Sequence, residues 1–273
     1  MLLDPLVIVG LLALGCGAGF MAGLLGVGGG MIMVPFLTAL MSAQGMDPEL
    51  SVKVAIATSM STIMFTSLSS VRAHHKRGAV RWDIVRTLAP GIVLGSLIGS
   101  MGIFAFLRGF WLAIFFGVFV MFSATQMLLG KKPKPTRQLP GTAGRVVAGG
   151  CIGMLSGLVG AGGGFISVPF MTWCNVVMHN AVATSAALGF PIAISNVLGY
   201  VIGGSNAEGM PPWSLGYIWL PALATVAIAS VSTAPLGAKA AHRLPVAKLK
   251  GVFAVMLYAL AFYMLWKGLK GEA

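Results

Sequence analysis

The chain is short of acid. Six Asp and Glu stand among 273 residues, and all of them, Asp4, Asp47, Glu49, Asp83, Glu208 and Glu272, fall in loops or at the ends of apolar runs. No carboxylate is left inside to carry a cation or relay protons, which argues against a cation exchanger and for an anion carrier. Charge of either sign is scarce. With 9% charged and 57% hydrophobic residues and a mean hydropathy of +0.92, the chain has too little polar surface to cover a soluble globule of its size. Cysteine is limited to Cys16, Cys151 and Cys174, without CxxC spacing or clustered histidine. Such a set supports neither a metal site nor a disulfide framework, and reads as small buried packing residues. With no nucleophile–base constellation either, an intramembrane enzyme has little support, and neither a cofactor nor a metal is expected.

What the chain has instead is a series of apolar runs of about 20 residues, enough to cross a hydrocarbon core. The expected fold is an all-α polytopic membrane protein. The start, Met1-Leu2-Leu3-Asp4-Pro5, lacks the positive charge that opens a secretory signal, so the first helix is expected to stay. The net charge of +12 does not point to nucleic acid, because the basic residues sit in short loops between apolar runs. If the segments 72–86, 131–145 and 239–250 are cytoplasmic, only Lys53, Arg108, Lys267 and Lys270 of the 18 Lys and Arg lie elsewhere. Both termini then lie outside.

The dominant pattern is a repeat. Gly26-Val27-Gly28-Gly29-Gly30, followed by Met31-Ile32-Met33-Val34-Pro35-Phe36, returns 134 residues later. The second copy is Gly160-Ala161-Gly162-Gly163-Gly164, followed by Phe165-Ile166-Ser167-Val168-Pro169-Phe170. Gly15, Gly19 and Gly23 match Gly149, Gly153 and Gly157 at the same offset. Two units are expected, 1–130 and 144–273, joined by a cytoplasmic linker at 131–143 that carries Lys131-Lys132-Pro133-Lys134-Pro135. Five segments per unit, an odd number, imply inverted repeats. The spans are expected at 6–25 with 31–41 as a glycine-tipped hairpin, then 51–71, 84–106 and 110–129. In the second unit they are 145–178 as the second hairpin, 180–202, 214–236 and 251–265.

Contiguous glycines leave the helix and present free N–H groups, and a helix restarting at Met31 or Phe165 adds positive potential that suits an anion. Candidate substrate-binding residues are therefore Gly28, Gly29, Gly30 and Met31 in one tip and Gly162, Gly163, Gly164 and Phe165 in the other. The alternative, that the glycines only permit tight helix crossings, is preferred for the stripes Gly15/Gly19/Gly23, Gly91/Gly95/Gly99 and Gly149/Gly153/Gly157. Neither cluster continues with Lys-Ser/Thr, so a nucleotide loop is not expected. Thr58-Ser59 and Thr184-Ser185 are a second matched pair, at offset 126. Their hydroxyls can meet solute oxygens or bond back to their own helices. Lys53 and His179 stand five residues before each Thr, as candidates for gating or proton coupling or as ordinary interfacial residues. Asn196 is the one amide well inside a span.

The doubled Gly-x-Gly-Gly-Gly-x-x-x-Val-Pro-Phe, followed by Val54-Ala55-Ile56-Ala57-Thr58-Ser59 and Ala181-Val182-Ala183-Thr184-Ser185, resembles the TauE/SafE family of membrane transporters, also called the sulfite exporter or toluene sulfonate uptake permease family. The family's motif positions carry over as Gly26, Gly28, Gly29, Gly30, Pro35, Thr58 and Ser59, and as Gly160, Gly162, Gly163, Gly164, Pro169, Thr184 and Ser185. The resemblance implies transport of sulfur-containing anions such as sulfite or sulfonates, sulfoacetate among them, across a bacterial inner membrane. The expected partners are that solute, membrane lipid and, as an option, a second copy in a homodimer. An anion channel and a non-transporting membrane scaffold or assembly protein remain as alternatives.

Overall fold

The structure is a computed structural model that describes residues 5–25, 29–129, 138–241 and 246–270. Gly26, Val27 and Gly28 of the first tip, and 131–137 of the linker, lie outside the described residues. Ten helices account for nearly all of the rest. In the first unit they are α1 (Pro5–Leu25), α2 (Gly30–Ala43), α3 (Pro48–His75), α4 (Trp82–Leu97) and α5 (Gly109–Leu129). A π-helical turn, Ile98–Phe104, prolongs α4. In the second unit they are α6 (Thr142–Val159), α7 (Gly164–Trp173), α8 (Met178–Gly203), α9 (Leu220–Ala240) and α10 (Val246–Lys270). Among the described residues eight helices are long and apolar enough to cross a membrane.

Both hairpins break at their glycines. Gly29 and Gly163 stand in the left-handed region, at φ 74° and 73°, as the N-caps of α2 and α7, and Gly160 ends α6 at φ 67°. Each hairpin joins a full-length helix to a short one. The 14 residues of α2 and 10 of α7 rise about 21 and 15 Å at roughly 1.5 Å per residue, well short of a hydrocarbon core about 30 Å thick.

The two units interlock. Helix α1 packs on α9 and α6 on α4, the first helix of each unit against the fourth of the other, while α3 packs on α8 and α5 on α10. The glycine stripes set these contacts. A Cβ on Gly15, Gly19 or Gly23 would come within 2.7, 2.3 or 2.0 Å of the carbonyls of Val226, Ser230 and Ala234. One on Gly91 or Gly95 would meet those of Val146 and Gly150 at 1.9 and 2.0 Å. The partner numbers rise together, so α1 and α9 run parallel, as do α4 and α6. Two pairs of equivalent helices, α5 with α10 and α3 with α8, run antiparallel. Gly117 of α5 faces Leu265 of α10 whereas Gly268 faces Ile114, and Gly189 faces Ser67 while Asn180, earlier in α8, reaches Ala79 beyond the end of α3.

Helices α3 and α8 form the buried centre, and α1, α5 and α10 turn residues such as Leu6, Trp111 and Phe262 outward. Two expectations need correction. Of the three cysteines only Cys174 is buried, since Cys16 and Cys151 lie exposed on the outer faces of α1 and α6; in a membrane-spanning helix an apolar setting is compatible with facing lipid. The span expected from Ser214 begins at Leu220, because Ser214–Leu215 and Ile218–Trp219 form a two-stranded ribbon that turns at Gly216, φ 56°, and Pro221 suits the first turn of a helix. A groove of about 700 Å³ between α1, α2 and α10, walled by residues such as Leu14, Phe36 and Phe253, is apolar and holds none of the candidate site residues.

Candidate functional site

The hairpin tips meet in the interior. Gly30 lies so close to the second tip that a Cβ on it would stand 2.0 Å from the Gly160 carbonyl oxygen. Ser59 of α3 donates to that same carbonyl at 3.3 Å. Residues Gly30, Met31, Gly162, Gly163 and Gly164 are buried and Phe165 half-buried. The chain leaves α6 through a wide turn, in which Gly160 and Ala161 donate to the Ser156 carbonyl at 2.9 and 3.3 Å. Gly163 then accepts from Ile166 and Ser167 to start α7, as Gly29 accepts from Ile32 and Met33 to start α2. Neither N-cap has a side chain to offer, so the first amides of both helices keep their positive potential in the protein interior.

The matched threonines have matched partners. The amide of Trp219, which precedes α9, donates to Thr58 Oγ1 at 3.0 Å, and the amide of Arg81, which precedes α4, donates to Thr184 Oγ1 at 3.0 Å. Each threonine thus holds the entry of the other unit's fourth helix, Thr58 reaching forward to α9 and Thr184 back to α4. Ser185 accepts from Ser167 at 2.9 Å across α7 and α8. The Arg81 guanidinium grips Asp83 at 2.9 and 2.7 Å, which pushes its pKa further up. Both groups are about half exposed, so the pair adds little stability.

Asn196 is fully buried. Its amide nitrogen donates to the Ile192 carbonyl at 2.8 Å and its Oδ1 faces Gly157 with no donor. Lys53 is half-buried near the start of α3, with Nζ 3.2 Å from the Ala105 carbonyl at the end of the π-turn and 5.5 Å from the centre of the Tyr217 ring. His179 is exposed on the first turn of α8. Gly29, Gly30, Ser59 and the second tip therefore converge, while Lys53 and His179 stand at opposite ends of the antiparallel α3–α8 pair. Gly28 lies outside the described residues.

Further candidates, which no motif marks, continue from Thr58 along α3. Thr58, Thr62, Thr66 and Ser70 place a hydroxyl on one face at every fourth residue, and all four are buried. The corresponding positions of α8 are Thr184, Leu188, Ile192 and Asn196. The signal in the sequence is a polar stripe inside an apolar helix.

Comparison with known proteins decides the family. The family model described as Sulfite exporter TauE/SafE matches residues 11–264. The chain belongs to the TauE/SafE family. It is 38% identical over 257 residues to a probable membrane transporter protein of Haemophilus influenzae, covering 94% of this chain and 97% of that one. It is 26% identical over 266 residues to the probable membrane transporter protein MJ0441 of Methanocaldococcus jannaschii, covering 97% and 96%. A third relative, the probable membrane transporter protein YunE of Bacillus subtilis, is 28% identical over 71% of this TauE/SafE chain and 78% of its own. No solved structure matches. The protein is thus a multi-pass membrane transporter.

Proposed function

We propose that the transported solute is a small sulfur-containing anion, sulfite or an organosulfonate such as sulfoacetate, carried by alternating access between two halves inverted across the bilayer. The observation that carries this reading is the meeting of two uncapped, glycine-broken helix starts in an interior whose described walls hold no carboxylate. Broken helices near the repeat interface are a recurring plan of secondary transporters, with the positive helix ends directed at anionic groups. The family description supplies the sulfur oxyanion, and the antiparallel packing of α3 on α8 and α5 on α10 supports inversion. The basic segments 72–86 and 239–250 belong on the cytoplasmic face of a bacterial inner membrane, with both termini outside.

Thermal unfolding of the purified protein tests the solute class directly. A ligand that binds only the folded state raises the unfolding temperature. Sulfite, or one of the sulfonates, is expected to do so, with sulfate, thiosulfate, taurine and simple carboxylates as the comparison set. A rise with carboxylates alone would contradict the sulfur assignment.

A further inference from the structure

We infer that a small cavity at the centre of the molecule, lined by Thr66, Ser67, Ser70, Ser185 and Gly162, seats one oxygen of the transported oxyanion. The inference rests on the sulfur-anion reading above and goes beyond it by adding Thr66, Ser67 and Ser70, which no motif marks. The cavity measures about 10 Å³, the room of one water-sized group. Its position follows from the repeat. Ile63 and Gly189 both stand in its wall, and the offset of 126 that matches Thr58 to Thr184 also matches these two, so the cavity lies beside the axis relating the units.

Its polar lining has unused capacity. Ser70 is 2% exposed and its hydroxyl has no hydrogen-bond partner. Burying a hydroxyl without a partner is unfavourable, and such a group calls for a reason. Thr66 bonds to the Thr62 carbonyl of its own helix at 3.0 Å and to the Ser230 hydroxyl of α9 at 2.7 Å, and Ser67 donates to the Met64 carbonyl at 3.1 Å. Hydroxyl protons held this way can rotate to an ionised acceptor, which binds them more strongly. Gly189 keeps the space open, since a Cβ there would stand 3.2 Å from Ser67 Cβ.

Charge selects an anion over a cation. No acid lines the cavity, and Gly162 stands two residues ahead of α7, whose first turn is uncapped. Across the axis the counterparts of Ala22 and Ser70 are Ser156 and Asn196, whose Oγ and Oδ1 are also buried without partners. That side replaces Thr66 and Ser67 by Ile192 and Ala193, so the hydroxyl-bearing side is the one that binds. A whole oxyanion exceeds the cavity, and its entry requires the α6–α7 tip to draw back from α3. Occupancy is thereby coupled to movement of the tip.

The test is uptake of radiolabelled sulfite by the full chain in proteoliposomes, with thermal unfolding of each variant. Ser70→Ala is expected to raise KM about tenfold without lowering the unfolding temperature, and Ser70→Cys, which keeps the volume but donates weakly, to do the same. Gly189→Ala, which narrows the cavity, is expected to slow uptake. If the wild-type protein transports sulfite and all three variants match its KM and rate, the cavity is a packing defect and the assignment is overturned. If the wild-type protein moves neither sulfite, sulfate nor sulfoacetate, the sulfur-anion reading fails and takes the assignment with it.

Discussion

The structural role of Thr58 and Thr184 and the solute contact proposed for them separate by measurement. Each accepts a backbone amide from the other unit, and at Trp219 that amide belongs to a fully buried residue. Thr58→Val removes the acceptor and strands the donor, so it is expected to destabilise the protein by about 1–3 kcal/mol, seen as a lower unfolding temperature, while Thr58→Ser restores it. A Thr58→Val variant of unchanged stability with impaired uptake would instead assign the hydroxyl to the solute. These pairings were not legible in the sequence, because partners 161 and 103 positions apart leave no local signature. The glycine break was legible, since consecutive glycines remove helix propensity whatever surrounds them.

At the scale of elements, small residues mark where helices cross. Gly95→Ala would drive a methyl to 2.0 Å from the Gly150 carbonyl, and overpacking of this kind costs about 1–3 kcal/mol. At Gly17 a methyl would meet open space, with nothing within 4 Å, so Gly17→Ala is expected to be neutral or to gain up to about 1 kcal/mol from helix propensity. Thermal unfolding of the two variants checks the contrast, and equal losses would refute the crossing geometry. The stripes could be read from spacing alone, as could every full-length span. The ribbon at Ser214–Trp219 could not, because two-residue strands give no period and Trp219, Ile218 and Leu220 continue the apolar run. The hydroxyl stripe of α3 was visible but carried no distinguishing mark, because isolated Ser and Thr in apolar helices commonly bond to their own backbone.

For the whole molecule, the interlocked packing makes neither unit a separate body, since the main contacts of α1, α4, α6 and α9 all cross between units. Orientation can be tested with Cys16, Cys151 and Cys174 replaced by Ala. Lys76→Cys and Glu208→Cys stand at exposed positions near the ends of α3 and α8. A membrane-impermeant maleimide is expected to label Glu208→Cys in intact cells and Lys76→Cys only after permeabilisation, and the reverse pattern would overturn the charge-based topology. Alternating carriage of a sulfur anion through the meeting point of the two glycine tips is tested most directly by counterflow. Proteoliposomes loaded with unlabelled sulfite and placed in a trace of radiolabelled sulfite, with oxygen excluded, should accumulate label transiently above its equilibrium level, and Gly30→Ala should abolish the overshoot. Uptake that rises only to equilibrium, or an overshoot untouched by Gly30→Ala, would contradict the account.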